Sequence, residues 1–348
     1  MRFGRIAHAS EEAHTHQGGR CPIHIITAPH EFNADDLFVD LEPLVGEPLM
    51  LKCEGFNFAG SIKLKAARAM VDAAERRGRL RPGSTLVESS SGNLGVALSL
   101  LAAARGYRFV CVTDSRCTLG ARQLMQALGS EVHVITTPDP VDGLLGARLA
   151  HVRELCAGNE DFLWLNQYAN PDNGQAHYDT TGPEILKAFP DLSVLFVGAG
   201  TTGTLMGCAR YLRDHKPSAR VVAVDAEGSV TFGGPARTRM IPGLGTGVRP
   251  PLLDESLVDD VVMVAEPDTI RSCRRLARRG FLFGGSTGTV VSGALTWLAR
   301  HPLPPGGRAV AIAPDLGERY LDTVYQEQWV EDLYGPRTLD DDVPARVG

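Results

Sequence analysis

With 348 residues, a net charge of −6, 43% hydrophobic and 22% charged residues, the chain suits one large or two medium globular α/β domains. No basic stripe with interleaved aromatic residues is present, which argues against a nucleic-acid partner. The longest apolar run, Gly95 to Ala104, is too short to cross a bilayer, so no membrane partner is expected. The seven cysteines are dispersed without a CxxC pair, a pattern of reduced thiols in a cytoplasmic protein. His8, Glu11, Glu12, His14 and His16 stand where a secretory signal needs an apolar core, which also predicts a cytoplasmic location.

In chain order, residues 1–22 read as a flexible tail. His14, His16, Cys21 and His24 have ligand chemistry, but their polar surroundings predict no metal site. Residues 23–52 form an irregular lead-in with short apolar runs. A helix follows over Ser61–Arg77, then a strand over Ser84–Glu88 and a helix over Asn93–Arg105. Strand Tyr107–Thr113, helix Leu119–Leu128, strand Glu131–Thr136 and helix Leu144–Cys156 continue the alternation. A second series runs through strand Val194–Val197, helix Thr204–Asp214 and strand Arg220–Asp225. Strand Asp260–Val264, helices Asp268–Arg279 and Thr287–Arg300, and strand Arg308–Ala313 complete it. Continuous apolar strands between helices predict an α/β fold of two domains, with parallel sheets flanked by helices. The expected units are residues 23–165, residues 166–330 and a C-terminal tail at 331–348, and the lead-in can cross to the other domain.

Chemistry-bearing residues concentrate where such sheets bind ligands, beyond the carboxyl ends of strands. Ser61 is placed to cap the first helix, which puts Lys63 in its first turn, where the helix dipole disfavours an ammonium. A lysine there is either an ordinary surface cation or an amine used in its neutral form as a nucleophile. Glu88-Ser89-Ser90-Ser91-Gly92-Asn93-Leu94-Gly95 joins a strand to a helix and offers hydroxyls and amides to an anion; a capped turn is the plain alternative. Gly198-Ala199-Gly200-Thr201-Thr202-Gly203-Thr204 is a second such turn. It satisfies GxGxxG, and Asp225 ends the next strand, so a nicotinamide-dependent oxidoreductase is a rival reading. Gly284-Gly285-Ser286-Thr287-Gly288 is the third, itself readable as a helix cap.

Taken together and in order, these segments resemble the fold-type II pyridoxal phosphate enzymes, specifically the cysteine synthase branch with its tryptophan synthase β-like fold. The resemblance covers residues 50 to 325. It implies that Lys63 carries the cofactor as a Schiff base. Asn93 would meet the phenolic oxygen, Gly200, Thr201, Thr202, Gly203 and Thr204 would cradle the phosphate, and Ser286 would partner the pyridine nitrogen. Ser90, Ser91, Gly92, Gln167 and Tyr168 would bind the substrate carboxylate. Leu64-Lys65 stands where the branch usually has Asp-Arg. Asn166-Gln167-Tyr168-Ala169-Asn170, Val222 to Val230, Pro242-Gly243-Leu244-Gly245 and Gly317-Glu318-Arg319-Tyr320 narrow the likeness further. They resemble the members that condense O-phospho-L-serine with L-glutamate, towards L-2,3-diaminopropionate for siderophores and peptide antibiotics. The implied reaction is a β-replacement through an aminoacrylate, in a homodimer, with Lys63 as the base. Cysteine synthase, another β-substituted alanine synthase, a dehydratase or a non-catalytic cofactor-binding partner are the alternatives. An anionic leaving group and an anionic nucleophile call for cations at the cleft. Arg116, Arg122 and Arg249 are the candidates, with Arg237 and Arg239 behind them.

Overall fold

The computed structural model describes residues 26–90 and 92–340; the tail expected at 1–22 and Ser91 lie outside the described residues. The described strands are β1 (Phe38–Asp40), β2 (Leu49–Cys53), β3 (Thr85–Ser89), β4 (Arg108–Asp114), β5 (Glu131–Ile135), β6 (Phe162–Trp164), β7 (Leu192–Gly198), β8 (Arg220–Ala226), β9 (Asp260–Val264) and β10 (Arg308–Ala313). The helices are α1 (Glu42–Val45), α2 (Lys63–Arg76), α3 (Asn93–Arg105), α4 (Leu119–Ala127), α5 (Gly143–Ala157), α6 (Pro171–Asp179), α7 (Thr181–Ala188), α8 (Gly203–His215), α9 (Glu266–Ala277), α10 (Gly285–Leu298) and α11 (Glu327–Tyr334).

Two sheets result, one of six strands in the order β1-β2-β10-β7-β8-β9 and one of four in the order β5-β4-β3-β6. All neighbours are parallel except β1 on β2. The burial pattern of β3, β8 and β10 explains this: each is buried along nearly its whole length, so neither face is left for water. β1 and β2, from the lead-in, pair in the larger sheet, and the chain then crosses to the smaller one through residues 54–62. Separate apolar clusters cover the faces: Leu86, Leu98 and Met125 in the smaller sheet's core, Phe196 and Val224 on one face of the larger, Leu195 and Ile312 on the other.

The start of α2 differs from expectation. Its cap position is Ile62, no side chain caps it, and the Ser61 hydroxyl is buried without a hydrogen-bond partner. The reason is tertiary: Ile62 N donates to Pro314 O at 2.7 Å and Ser61 bridges to Asp315, so the end of β10 does the work of a cap. α6 and α7 fall between the two series of elements expected from the sequence. Asn170 caps α6 by accepting from Asp172 N, with Pro171 at the first helical position. α6 then packs on α8 so closely that a Cβ at Gly207 would lie 2.2 Å from Gly174 O. Of the residues expected as a C-terminal tail, Glu331–Tyr334 finish α11 and Pro336–Leu339 form a 3-10 turn. Trp329, Tyr334 and Leu339 pack there against a cluster containing Tyr320 and Val330. Among the described residues, no helix is long and apolar enough to cross a membrane.

Candidate active site between the two sheets

A cavity opens where β3, β7 and β10 end and the first turns of α2, α3, α8 and α10 converge. Lys63, Ser90, Gly92, Asn93, Gln167, Tyr168, the turn Gly200–Thr204 and Ser286 all line it. Residues separated by more than two hundred positions thus meet at one place.

Lys63 is the first residue of α2. Burial lowers its pKa, with the nearby Asp315 carboxylate opposing the shift, so the amine is biased towards its neutral, nucleophilic form. Asp315 is fully buried and is the hub of a second group of contacts. Tyr320 Oη donates to it at 2.5 Å and Asn93 Nδ2 at 2.8 Å. Asn93 Oδ1 in turn accepts from Arg319 Nη1 at 2.6 Å. Burial raises the Asp315 pKa against those donors, and burial beside Asp315 carries the Tyr320 hydroxyl well above its ordinary range.

The turn after β3 is built around Ser90, whose Oγ accepts from Gly92 N at 3.2 Å and Gly95 N at 2.9 Å. Gln167 Nε2 donates to Ser89 O at 2.6 Å, and Gln167 N donates to Glu88 Oε2 at 3.1 Å. Burial pushes the Glu88 carboxyl up to about 7 although Trp164, Ser89 and Gln167 all donate to it.

The turn after β7 places Thr202 in the left-handed region, φ 65°, immediately before α8. The first amides of that helix have no partner within the helix, and its dipole favours an anion there. Gly200 and Gly203 admit no side chain, since an added Cβ would lie 2.9 Å from Gly243 O and 2.2 Å from Asn173 Oδ1. Asn173 ties this turn to the other side by donating to Gln167 O at 2.8 Å and Thr201 Oγ1 at 3.0 Å. Backbone brought this close to open space, a helix N-terminus, a desolvated amine and a hydroxyl at Ser286 form a donor set that fits pyridoxal phosphate.

The arginines fall differently from expectation. Arg116 lines the cavity, held to Asp114 through Nε at 3.2 Å and Nη2 at 3.1 Å. Arg122 and Arg249 are not among the residues that line it: Arg122 lies on α4 with its Nε buried and without a hydrogen-bond partner, and Arg249 is 54% exposed and pairs with Glu255. Arg239, one of the two weaker candidates, lines the cavity while Arg237 is not among its lining residues, and Arg148 and Arg319 line it as well. Arg148 is 4% exposed and sits with Nε 3.2 Å from Asp114 Oδ2 without the alignment of a hydrogen bond. Its Nε and Nη1 are buried with no acceptor. The available signal was helical spacing, since Leu145, Arg148 and Val152 share the buried stripe of α5. Asp225, the acid of the dinucleotide reading, is fully buried, accepts from Ala226 N, and has no face open to a ribose.

Residues 38–315 match the family described as "Pyridoxal-phosphate dependent enzyme". The chain is 39% identical over 288 residues to an N-(2-amino-2-carboxyethyl)-L-glutamate synthase of Ralstonia nicotianae, covering 82% of this chain and 85% of that protein. It is 38% identical over 295 residues to the enzyme of the same name from Cupriavidus metallidurans, covering 83% and 85%. Among solved structures, O-ureido-L-serine synthase superposes with a TM-score of 0.79 at 34% identity, covering 89% of this chain and 96% of that one. An O-acetylserine dependent cystathionine β-synthase from Helicobacter pylori does so at 0.79 and 28% identity, covering 87% and 100%.

Proposed function

This chain belongs to the pyridoxal phosphate-dependent enzymes of fold type II, in the cysteine synthase family, and from that premise we propose that it joins O-phospho-L-serine to L-glutamate. The β-carbon loses its bond to the phosphate oxygen and gains one to the glutamate nitrogen. N-(2-amino-2-carboxyethyl)-L-glutamate and inorganic phosphate leave, and a proton from the amine is released. The product serves L-2,3-diaminopropionate supply for a siderophore or peptide antibiotic. The observation that carries this reading is the cation content of the cavity: Arg116, Arg148, Arg239 and Arg319 line it, and Arg148 keeps two buried nitrogens without an acceptor. A phosphate leaving group and a dicarboxylate nucleophile use such donors; sulfide does not. The names of the two bacterial relatives support the same product.

Bound pyridoxal phosphate would supply an aldehyde carbon for an amine and a ring that draws electron density from the substrate Cα. In this reading Lys63 holds the aldehyde, the amides and hydroxyls of Gly200–Thr204 hold the phosphate, Asn93 meets the phenolic oxygen and Ser286 the ring nitrogen. Freed by the incoming amino acid, the neutral Lys63 amine takes the Cα proton. Ser90, Ser91, Gly92 and Gln167 orient the substrate carboxylate so that this bond stands in reach. Tyr168 and Arg148, with Arg116 and Arg239, receive the glutamate carboxylates. Family likeness also supports a homodimer, checked by light scattering of the purified protein, and the dispersed cysteines support a cytoplasmic location.

Mass spectrometry of the holoenzyme with O-phospho-L-serine and a panel of amines and thiols tests the assignment. The expected product requires glutamate and appears with one equivalent of phosphate. Cysteine formation from O-acetyl-L-serine and sulfide, with glutamate inert, would move the protein to the cysteine synthases.

A further inference from the structure

Behind the Gly200–Thr204 turn lies a buried ion cluster that the reaction does not touch. Lys65 Nζ reaches Glu184 Oε2 at 2.7 Å, Glu54 Oε1 at 3.0 Å and Thr181 Oγ1 at 3.4 Å. Lys52 bridges the same two carboxylates at 2.8 and 3.2 Å. From Thr181 the contacts run inward: His177 Nδ1 is 3.0 Å from Thr181 Oγ1, and His177 Nε2 is 3.1 Å from Thr204 Oγ1. Lys52, Glu54, Thr181 and His177 are each fully buried, so water does not compete along this path.

The direction of every bond follows from the first. An ammonium only donates, so Thr181 Oγ accepts from Lys65 and its own hydrogen is left for His177 Nδ1. Burial, with the charge of Lys65, holds the His177 pKa well below its ordinary value, so the ring is neutral and carries one N–H. With Nδ1 accepting, that N–H is on Nε2 and points at Thr204. Thr204 Oγ then accepts from the ring, which leaves its hydrogen for the cavity that Thr204 lines.

We infer that Lys65 is a positioning residue: through Thr181 and His177 it fixes the Thr204 hydroxyl as a donor to the cofactor's phosphate. The inference rests on the proposed phosphate cradle. Without the relay, the imidazole is free to take its other tautomer, and Thr204 then donates backwards to Nε2 and offers the anion only lone pairs.

The test compares the apoprotein's affinity for pyridoxal 5'-phosphate and for pyridoxal, which lacks the phosphate, by titrating the lysine-bound absorbance. Thr181→Val removes the relay while leaving Lys65 between its two carboxylates. It should weaken the phosphorylated aldehyde roughly ten- to a hundredfold, the worth of one hydrogen bond to a charged group, and leave pyridoxal unchanged. Thr181→Ser should restore the wild-type value. Should Thr181→Val not fold, Thr181→Ala carries the same comparison without added bulk. Unchanged phosphate-dependent affinity in the Thr181 variant, or equal loss for both aldehydes, overturns the relay. Thr204→Val separates the two levels: loss there with none at Thr181 refutes the relay alone, and no loss at Thr204 refutes this hydroxyl's place in the cradle as well.

Discussion

Replacing Arg148 with methionine keeps length and packing and removes the guanidinium. In the folded protein the cost is modest, because Asp114 keeps Arg116, whose N, Nε and Nη2 approach it at 2.9, 3.2 and 3.1 Å. The cost to binding is larger. The Nε and Nη1 donors are buried without a hydrogen-bond acceptor, although Nε lies 3.2 Å from Asp114 Oδ2, and truncating one partner of a desolvated charge pair costs about 2–5 kcal/mol. At ~1.4 kcal/mol per decade that is roughly thirtyfold to a few thousandfold in kcat/KM for glutamate. Phosphate release from O-phospho-L-serine alone, followed by a coupled phosphate assay in stopped flow, should change by less than about threefold, since a residue placed for the second substrate leaves the first step's barrier largely alone. Glutamine supplies the control: wild type should prefer glutamate strongly, and the Arg148→Met variant should nearly lose that preference. An unaltered KM for glutamate, or an equal loss in the first phase, refutes the assignment of Arg148 to the second substrate.

Three further outcomes follow from the same geometry. Gly203→Ala would place a methyl 2.2 Å from Asn173 Oδ1; we expect about 1–3 kcal/mol of destabilisation by urea melts and loss of cofactor retention on dialysis. Full retention would show that the turn is not tightly apposed to the phosphate. Glu88, at about 7 against an ordinary 4.5, holds its proton more tightly when folded. Its contribution to stability is therefore complete below pH 4.5 and is lost as pH rises through 7, about 3 kcal/mol in all. Urea melts of the apoprotein between pH 5 and 8 should show this slope, and Glu88→Gln should flatten it; identical slopes would contradict a buried, protonated carboxyl. Gly243→Ala, with its φ of 112° and a Cβ 2.1 Å from Ser286 Oγ, should displace that hydroxyl and shift the absorbance of bound cofactor. An unmoved spectrum would separate Ser286 from the ring.

Seven of the ten described strands were legible because parallel strands in covered sheets read as apolar runs, and the glycine-rich turns because close backbone approach restricts residue choice; β1 and β2 fell in the stretch read as an irregular lead-in, and β6 is only three residues long. Lys63 stood out by its place at a helix start. What escaped reading depends on tertiary partners. Ser61 has a capping side chain, yet the chain after β10 takes the Ile62 amide and the helix begins one residue later than a Ser61 cap would place it. Asp315 carried no sequence signal, and only the fold sets it beside Lys63, Asn93 and Tyr320. Arg249 sits in a loop near the opening in sequence terms, but Glu255 holds it in solvent. Arg148, inside a helix with a mixed pattern, was the arginine whose neighbours on the i, i+3 and i+4 positions mattered more than its loop distance.

The most direct test of the central claim is to reduce the wild-type holoenzyme with borohydride and map the modified peptide by mass spectrometry. The expected result is a phosphopyridoxyl group on Lys63 and on no other lysine, absent from a Lys63→Ala variant. A label on Lys65, or a wild-type protein that takes up no pyridoxal phosphate, would contradict the account.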